Sequence, residues 1–309
     1  MSTTLSGSAT PPTVQVVQGQ RSAADRTRRS LRRRKGVNIV MVGIMYLAAT
    51  VATLPLLLIL GHLLKEGAGA LNLHFFTRMP QPVGEIGGGM ANAIIGTLTL
   101  VGIAALIGLP VGIGAGLYLA EHRGERFANS VRFLSDVLNG LPSIVMGIFA
   151  WQFLVKPLGH FSALSGGIAL GAMMIPLVTR GTEEMILTVP ASLREAALAL
   201  GFPHWRTSLA IVLRTALPGI VTGALIAVAR IAGETAPLLF TAFGNQFWSL
   251  ALDQPIAALP LQIFSYAISP YDEWHRLAWA GALVLIAIVL LISVAARLAT
   301  KSRHGGGGD

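Results

Sequence analysis

EAALALGFPHWRTSLAIVLRTALPGIVTGALIAVARIAGETAPLLFTA, residues 195–242, is the stretch that decides the fold. It opens with a short polar-flanked segment that ends at Gly201, and it continues as a long apolar segment that carries Arg230 and Glu234. A charged side chain inside a membrane span is costly and marks a candidate functional site. We therefore predict that the short segment receives mechanical input from a partner and that the charged pair meets a solute.

The composition is that of a membrane protein. Of the 309 residues, 53% are hydrophobic and only 12% are charged, and the mean hydropathy is +0.66. A soluble domain has about 25% charged residues. The chain contains no cysteine, which excludes disulfides, thiol chemistry and cysteine-ligated metals.

The formal charge of +9 is concentrated at the N-terminus, where eight basic residues and one acid precede residue 37. A nucleic-acid surface would place basic residues on a folded face with aromatic partners. We interpret residues 1–36 instead as a disordered cytoplasmic tail that sets the topology. Residues 301–309, which end in a run of glycines and Asp309, are interpreted as a tail or linker remnant.

Six apolar runs within residues 37–300 predict six membrane-spanning helices. Their predicted limits are 37–60, 91–120, 131–155, 165–186, 209–243 and 277–298. An even number of spans puts both termini on one side, and the basic residues of the tail and of the inner loop 188–208 put that side in the cytoplasm. The predicted fold class is an all-α membrane protein with outer segments at 61–90 and 244–276.

Small residues and prolines predict the local shape of these helices. Gly108, Gly112 and Gly116 are spaced by four residues, which lets two helices pack closely in lipid. Pro142 removes a helix hydrogen bond and predicts a bend in the third span. The run 164–168, LSGGI, superficially resembles the signature loop of an ABC-type ATPase. No Gly-x-x-x-x-Gly-Lys-Ser/Thr accompanies it, so we interpret it as a decoy.

The inner loop predicts a short capped helix. Ser192 and Glu195 fit the capping box, in which each side chain bonds the backbone amide of the other residue. The helix would run to Leu200, and Gly201 would close it in the left-handed conformation. One face is apolar and consists of Leu193, Ala196, Ala197 and Leu200. A helix this short is marginal alone, and its narrow, alanine-rich face favours a protein groove over a lipid surface.

The charged pair of the fifth span predicts an oxyanion site. With the span entering hydrocarbon near residues 213–217, Arg230 lies roughly 20–25 Å deep, past the bilayer centre, with Glu234 on the same helix face. A guanidinium suits bidentate capture of a tetrahedral oxyanion. A carboxylate accepts the O–H of monohydrogen phosphate, whereas sulfate has none to offer. Without substrate the two groups would neutralise each other, and spacing alone explains a purely structural ion pair equally well.

Three further residues join the predicted substrate pathway. Thr235 follows the charged pair directly, and Ser143 follows Pro142. Asp136 lies near the start of the third span, where it is either a gate residue or the partner of a basic residue near the cytoplasmic face. The seven histidines fall in loops or at span ends and form no His-Glu-x-x-His. We therefore expect no catalytic residue and no metal site in this chain.

The inner loop resembles the EAA loop of bacterial ABC importer permeases. Glu195-Ala196-Ala197, Gly201, Ile211-Val212-Leu213 and Pro218-Gly219 follow the spacing of that motif, although its usual Leu-Pro is Leu213-Arg214 here. The resemblance implies a type I importer permease fold. It also implies that the short helix, from Ser192 to Gly201, inserts into a cleft of a cytoplasmic ATPase.

The stretch 230–242 resembles the signature of the permease family of bacterial phosphate importers, as do 75–89 and 141–145. The resemblance covers about residues 40–300 and maps the transport-critical Arg and Glu of that family onto Arg230 and Glu234. It implies a plasma-membrane protein, a heterodimer with a related permease, two ATPase copies that bind ATP and Mg, and an external phosphate-binding protein. Permeases for sulfate or molybdate, or a gradient-driven secondary transporter, are the alternatives.

Overall fold

The structure is a computed structural model that describes the backbone of residues 12–301 apart from 84 and 86, and side chains within 34–298. The chain divides into two compact units between His62 and Leu63. The two units are described separately.

The first unit consists of most of a long helix, α1, which runs Pro12–Ala68. Its part from Arg34 is long and apolar enough to cross a membrane. The sequence predicts a disordered tail up to residue 36, yet the helix already begins at Pro12. Arginine, glutamine and alanine are good helix formers, so the basic segment extends a helix that the apolar run nucleates. Residues 1–11 of the predicted tail lie outside the described residues.

The second unit is helical apart from one isolated β-bridge, Phe243 with Ile256. Its helices are α2 Leu73–Thr77, α3 Ala91–Glu121, α4 Arg126–Gly140, α5 Ser143–Leu158, α6 Ala163–Leu187, α7 Ala191–Ala199, α8 His204–Ala232, α9 Ala236–Thr241, α10 Leu259–Ala267 and α11 Asp272–Lys301. The outer segments of the prediction thus contain α2 and α10. Helix α2 packs on α3, and α10 packs on α3 and α11, around a core that includes Phe75, Leu259 and Tyr266.

Five described helices are long and apolar enough to span a membrane, and the pair of α4 and α5 provides a sixth span when counted together. This confirms the predicted all-α membrane fold, with one span broken. The two helices of the pair meet at 105°. Pro142 lacks the N–H that would continue α4, and it forces Leu141 into an extended conformation with φ −72° and ψ 137°. The predicted bend is therefore a sharp break between two separate helices, α4 and α5.

The predicted glycine face of α3 is confirmed. Gly108, Gly112 and Gly116 are buried against α6, where an added Cβ would lie 2.8 Å or less from side-chain or backbone atoms. The two helices run in the same direction and touch along most of their length. The glycines of the 164–168 run also allow α3 and α6 to pack closely, because Gly166 and Gly167 face Leu100 and Ile103 of α3.

Two other helix contacts set the depth of the candidate site. Helix α6 packs antiparallel to α8, with Met185 against Gly219 and Gly181 against Gly223. Helix α5 packs on α9, with Gly147 against Pro237.

Candidate substrate pathway and inner-loop helix

The fifth span is broken beside its charged residues. Helix α8 ends at Ala232, Gly233 caps it, and α9 begins at Ala236. Pro237 explains the break, because inside a continuous helix its ring would clash with the carbonyl of Gly233, four residues back. The prediction of one helix over 209–243 is therefore wrong. The prediction that Glu234 shares a helix face with Arg230 is wrong for the same reason, since Glu234 lies in the connection.

Arg230 lies level with the middle of α6. The antiparallel register set by Gly181 with Gly223 pairs Arg230 with Met174, and α6 runs from Ala163 to Leu187. The sequence places Arg230 past the bilayer centre, whereas the register puts it close to the midpoint of a neighbouring span. At this depth the guanidinium of Arg230 is far from both ends of the neighbouring helix α6.

Ser143 lies near the break in the fifth span. Gly147, four residues after Ser143, contacts Pro237, four residues after Gly233, so both breaks lie about one helical turn from this contact. The broken third span and the broken fifth span thus interrupt their helices near one contact. Backbone that is not helical is tolerated at membrane depth only where it is buried in protein or lines a cavity.

Four polar side chains lie in or beside these two breaks in the chain. Arg230 is exposed, while Glu234, Thr235 and Ser143 are half-buried. None of their side chains forms a hydrogen bond or ion pair with another described residue, so the predicted Arg230–Glu234 ion pair is not present. An unpaired polar group is costly in an apolar medium. This cluster therefore has donors and acceptors ready for a polar ligand or water.

Asp136 belongs to a different group of charges. Its carboxylate pairs with Arg180 of α6, with Oδ1 2.9 Å from Nε. Of the two alternatives for Asp136, the structure shows the ion pair with a basic residue. Arg180 lies six residues from Met174, or about 9 Å at 1.5 Å per residue, toward the end of α6 that leads into α7. Asp136 is thus held away from the level of Arg230, and no hydrogen bond or ion pair joins the two.

The centre of that group is Glu183, which the sequence reasoning missed. Glu183 is buried and accepts hydrogen bonds from Arg180 Nη1 at 2.9 Å and from Arg132 Nε at 2.5 Å. Arg132 also donates to the carbonyl of Leu119 at the end of α3. The available signal was the Arg-x-x-Glu spacing inside an apolar span, which places both side chains on one helix face. This ion-pair network, defined by Asp136, Arg180, Glu183 and Arg132, joins α4 to α6 and α3.

The inner-loop helix α7 begins earlier than predicted. It runs Ala191–Ala199 with Pro190 as its N-cap, and no side chain caps it. Ser192 is therefore inside the first turn, and the predicted capping box with Glu195 is wrong. Proline has a fixed φ and suits the first turn of a helix, so Pro190 was the stronger start signal. Glu195 is exposed and has no polar partner among the described residues.

The end of α7 is as predicted. Gly201 has φ +83°, and the Phe202 amide donates to the carbonyl of Ala197, which closes the helix. Only Ala197 of the predicted apolar face is buried; Leu193, Ala196 and Leu200 are exposed. These side chains, together with Trp205, leave an apolar surface uncovered at the N-terminal end of the fifth span.

Helix α8 connects this loop to Arg230 without interruption. It begins at His204, passes through a π-helical segment at Thr207–Val212 and reaches Ala232. Helix α7 packs on that π-helical segment. A displacement of α7 therefore acts on the same rigid element that carries Arg230.

Residues 112–303 match the family described as the binding-protein-dependent transport system inner membrane component. The chain is thus a membrane component of a binding-protein-dependent transporter. It is 49% identical to the phosphate transport system permease protein PstA of Yersinia pestis, over 81% of this chain and 85% of that protein. It is 46% identical to PstA of Haemophilus influenzae, over 86% and 94% of the two chains. The chain therefore belongs to the PstA family.

Solved structures agree on the fold. A chain of the MetNI methionine ABC transporter, in inward-facing conformations, superposes with a TM-score of 0.57 at 19% identity, covering 69% of this chain and 96% of that chain. A chain of a bacterial alginate ABC transporter in complex with an alginate-bound periplasmic protein gives 0.62 at 15% identity, covering 87% and 96%. At these identities the likeness concerns the type I permease fold alone.

Proposed function

We propose that the chain is the membrane-spanning subunit of an ATP-driven importer that moves inorganic phosphate into the cytoplasm. The observation that supports this most directly is the unpaired guanidinium of Arg230 at mid-span, beside two helix breaks. The PstA relatives are named as phosphate transport permeases, which agrees with an oxyanion ligand at this position.

The partners of the proposed importer follow from the same family. A second permease (PstC-like) completes the pathway, two copies of an ATPase (PstB-like) bind ATP and Mg on the cytoplasmic side, and an external phosphate-binding protein (PstS-like) delivers the solute. The chain itself carries no cofactor and no catalytic residue in this proposal. It lies in the bacterial inner membrane with both termini in the cytoplasm, as its basic N-terminal segment favours.

The proposed selectivity arises from the chemistry of the cluster. Arg230 offers a planar fork of donors that suits two oxygens of a tetrahedral anion. Glu234 can accept the O–H of monohydrogen phosphate, and the hydroxyls of Thr235 and Ser143 can donate to the remaining oxygens. Sulfate has no O–H at neutral pH, so the Glu234 carboxylate would repel it. The second permease supplies the opposite wall.

In the proposed transport cycle, motion of α7 is transmitted through α8 to this cluster. Exposed apolar side chains of α7 dock into a groove of the ATPase, in the helix-in-groove manner. When the ATPase dimer closes on ATP, α7 moves, and α8 changes its angle as one rigid helix. Arg230 is then presented to the outside in one state and to the cytoplasm in the other.

The first test changes charge and geometry separately in the assembled complex, reconstituted in proteoliposomes with its receptor. Arg230→Lys keeps the charge but loses the fork, and Glu234→Gln keeps the size but loses the charge. We expect both variants to lose most ATP-dependent uptake of radiolabelled phosphate, because each removes one half of the recognition. The matched controls are Arg276→Lys and Glu273→Gln, an exposed pair at the start of α11, which should retain the wild-type rate.

The same assay separates the alternatives. Wild-type rates in both pathway variants would show that the cluster is not the substrate site. Equal competition by sulfate or molybdate would assign the chain to another oxyanion, and uptake that persists without the ATPase would assign it to gradient-driven transport.

A further inference from the structure

Helix α7 is attached to the membrane helices at few points. Ala197 is its only buried residue, and it packs on the π-helical segment of α8. A cavity of about 560 Å³ lies between the start of α7 and the inner ends of α3 and α6. Its lining includes Glu121, Leu187, Val189 and Arg194. This side of α7 is therefore not packed against the scaffold and has room to move.

One ion pair bridges α7 to α3 at the edge of this cavity. Arg194 Nη1 lies 2.5 Å from Oε1 of Glu121, the last residue of α3, and the two side chains are 26% and 25% exposed. An ion pair with limited solvent access is screened less than one on the open surface. Among the described residues it is the only ion pair that α7 forms.

The helix at the far end of this bridge does not move alone. The glycine face of α3 holds it against α6, and the ion-pair network around Glu183 holds α6 to α4. A pull on Glu121 is therefore transmitted to the second, third and fourth spans. The backbone of α8, in contrast, transmits motion of α7 directly to the fifth span, and reaches the other spans only through the side-by-side packing of α8 on its neighbours.

We propose that the Arg194–Glu121 ion pair is a second transmission link, through which movement of α7 drives spans two to four together with span five. Arg194 and Glu121 are positioning residues in this role, because neither touches the substrate cluster. The proposal rests on the proposed function, since it needs an ATPase that displaces α7. Without the link, α8 tilts while the Ser143 side of the pathway stays in place, and ATP is hydrolysed without a full translocation step.

The test measures phosphate imported per ATP hydrolysed by the full complex in proteoliposomes. Arg194→Gln and Glu121→Gln should each lower this ratio by about fivefold, the lower end of coupling between distant sites, while basal ATP hydrolysis persists. Arg194→Glu combined with Glu121→Arg should restore the ratio. The reversed pair also suits the helix dipoles, because it puts a cation at the end of α3 and an acid near the start of α7. Glu273→Gln is the control and should leave the ratio unchanged.

A covalent link between α7 and α3 tests the same coupling without the two charges. The chain has no native cysteine, so Arg194→Cys with Glu121→Cys can be joined by a short cross-linker that forms a disulfide with each thiol. The import ratio is then compared before and after these disulfides are reduced. The cross-linked protein should import more phosphate per ATP than its reduced form. An unchanged ratio in the single variants, or cross-linking that lowers the ratio, overturns the proposal. Absence of phosphate uptake by the wild-type complex would instead overturn the proposed function.

Discussion

Glu183 shows how a membrane span can carry a buried acid. The side chain is only 4% exposed, and it is satisfied by two guanidinium groups, one from its own helix and one from α4. Burial of an unpaired carboxylate would cost several kcal/mol, whereas a fully hydrogen-bonded pair offsets most of that cost. Arg230 has no such partner. The two arginines that bind Glu183 are therefore structural groups, whereas Arg230 is a candidate ligand group.

Removing the charge of Glu183 should destabilise the protein. In Glu183→Gln the two arginines lose their shared negative charge, and one of the two acceptor oxygens becomes an NH2 donor that faces a guanidinium group. We expect a loss of about 3 kcal/mol in the free energy of unfolding, typical of breaking one side of a buried pair. Titration with denaturing detergent in mixed micelles measures this difference. The neighbouring Glu184 is exposed, so Glu184→Gln should change the free energy by less than about 0.5 kcal/mol. Equal effects of the two variants would contradict the structural role of Glu183.

Among the elements, α3 and α6 pack together along most of their length. Glycine at three successive turns lets the two backbones approach, and van der Waals contact replaces the hydrophobic effect as the stabilising term in lipid. The other important element is α8, which runs from the inner loop to Arg230. After its end at Ala232, the non-helical connection to α9 carries Glu234 and Thr235.

The α3–α6 contact can be tested with two glycines of the same helix. A Cβ on Gly112 would lie 2.7 Å from the Cβ of Val178, whereas a Cβ on Gly114 meets nothing within 4 Å. Gly112→Ala should therefore cost about 2 kcal/mol through overpacking. Gly114→Ala should leave stability unchanged or slightly raised, because alanine is the better helix former. Thermal unfolding of the purified protein in mild detergent compares them, and a stable Gly112→Ala would show that the helices are further apart than described.

At the scale of the whole molecule, two interrupted spans meet near their breaks. The break after Pro142 and the break at Gly233 each lie about one turn from the contact of Gly147 with Pro237, and four unpaired polar side chains lie in or beside these breaks. The ion-pair network lies about 9 Å from the level of Arg230, toward the end of α6 that leads into α7. The second unit thus holds unpaired polar side chains, an ion-pair network and the exposed apolar side chains of α7 in separate places.

Straightening the fifth span should abolish transport without preventing assembly. Pro237→Ala removes the ring that excludes a helical Gly233, so α8 can extend through Glu234. Glu234 would then share a helix face with Arg230, and an ion pair between the two would neutralise the guanidinium. We expect most phosphate uptake to be lost in proteoliposomes while the ATPase still co-purifies. The control is Pro110→Ala, because Pro110 is an exposed proline inside the continuous helix α3. Normal uptake by Pro237→Ala would show that the break is not needed.

Much of this architecture follows from local signals in the sequence. Apolar runs of sufficient length predict the spans, glycines spaced by four predict the α3–α6 face, and Gly201 predicts the end of α7. The motifs of the inner loop and of residues 230–242 predict the family. Each of these signals depends on residues within a few turns of one another, which is why one sequence suffices to recognise them.

The sequence by itself therefore determined the membrane class, the helix-packing face, the inner-loop helix and the family. The tertiary structure alone decided which charges pair. Arg132 pairs with Glu183, 51 positions away in the sequence, and Arg194 pairs with Glu121, 73 positions away. Hydrophobic periodicity does not encode pairs at such sequence separations. It also decided that Arg230 and Glu234 stand apart, because a proline three residues beyond the pair interrupts the helix that their spacing presupposes. Long-range pairing depends on which helix faces meet, and only the packed chain specifies those faces.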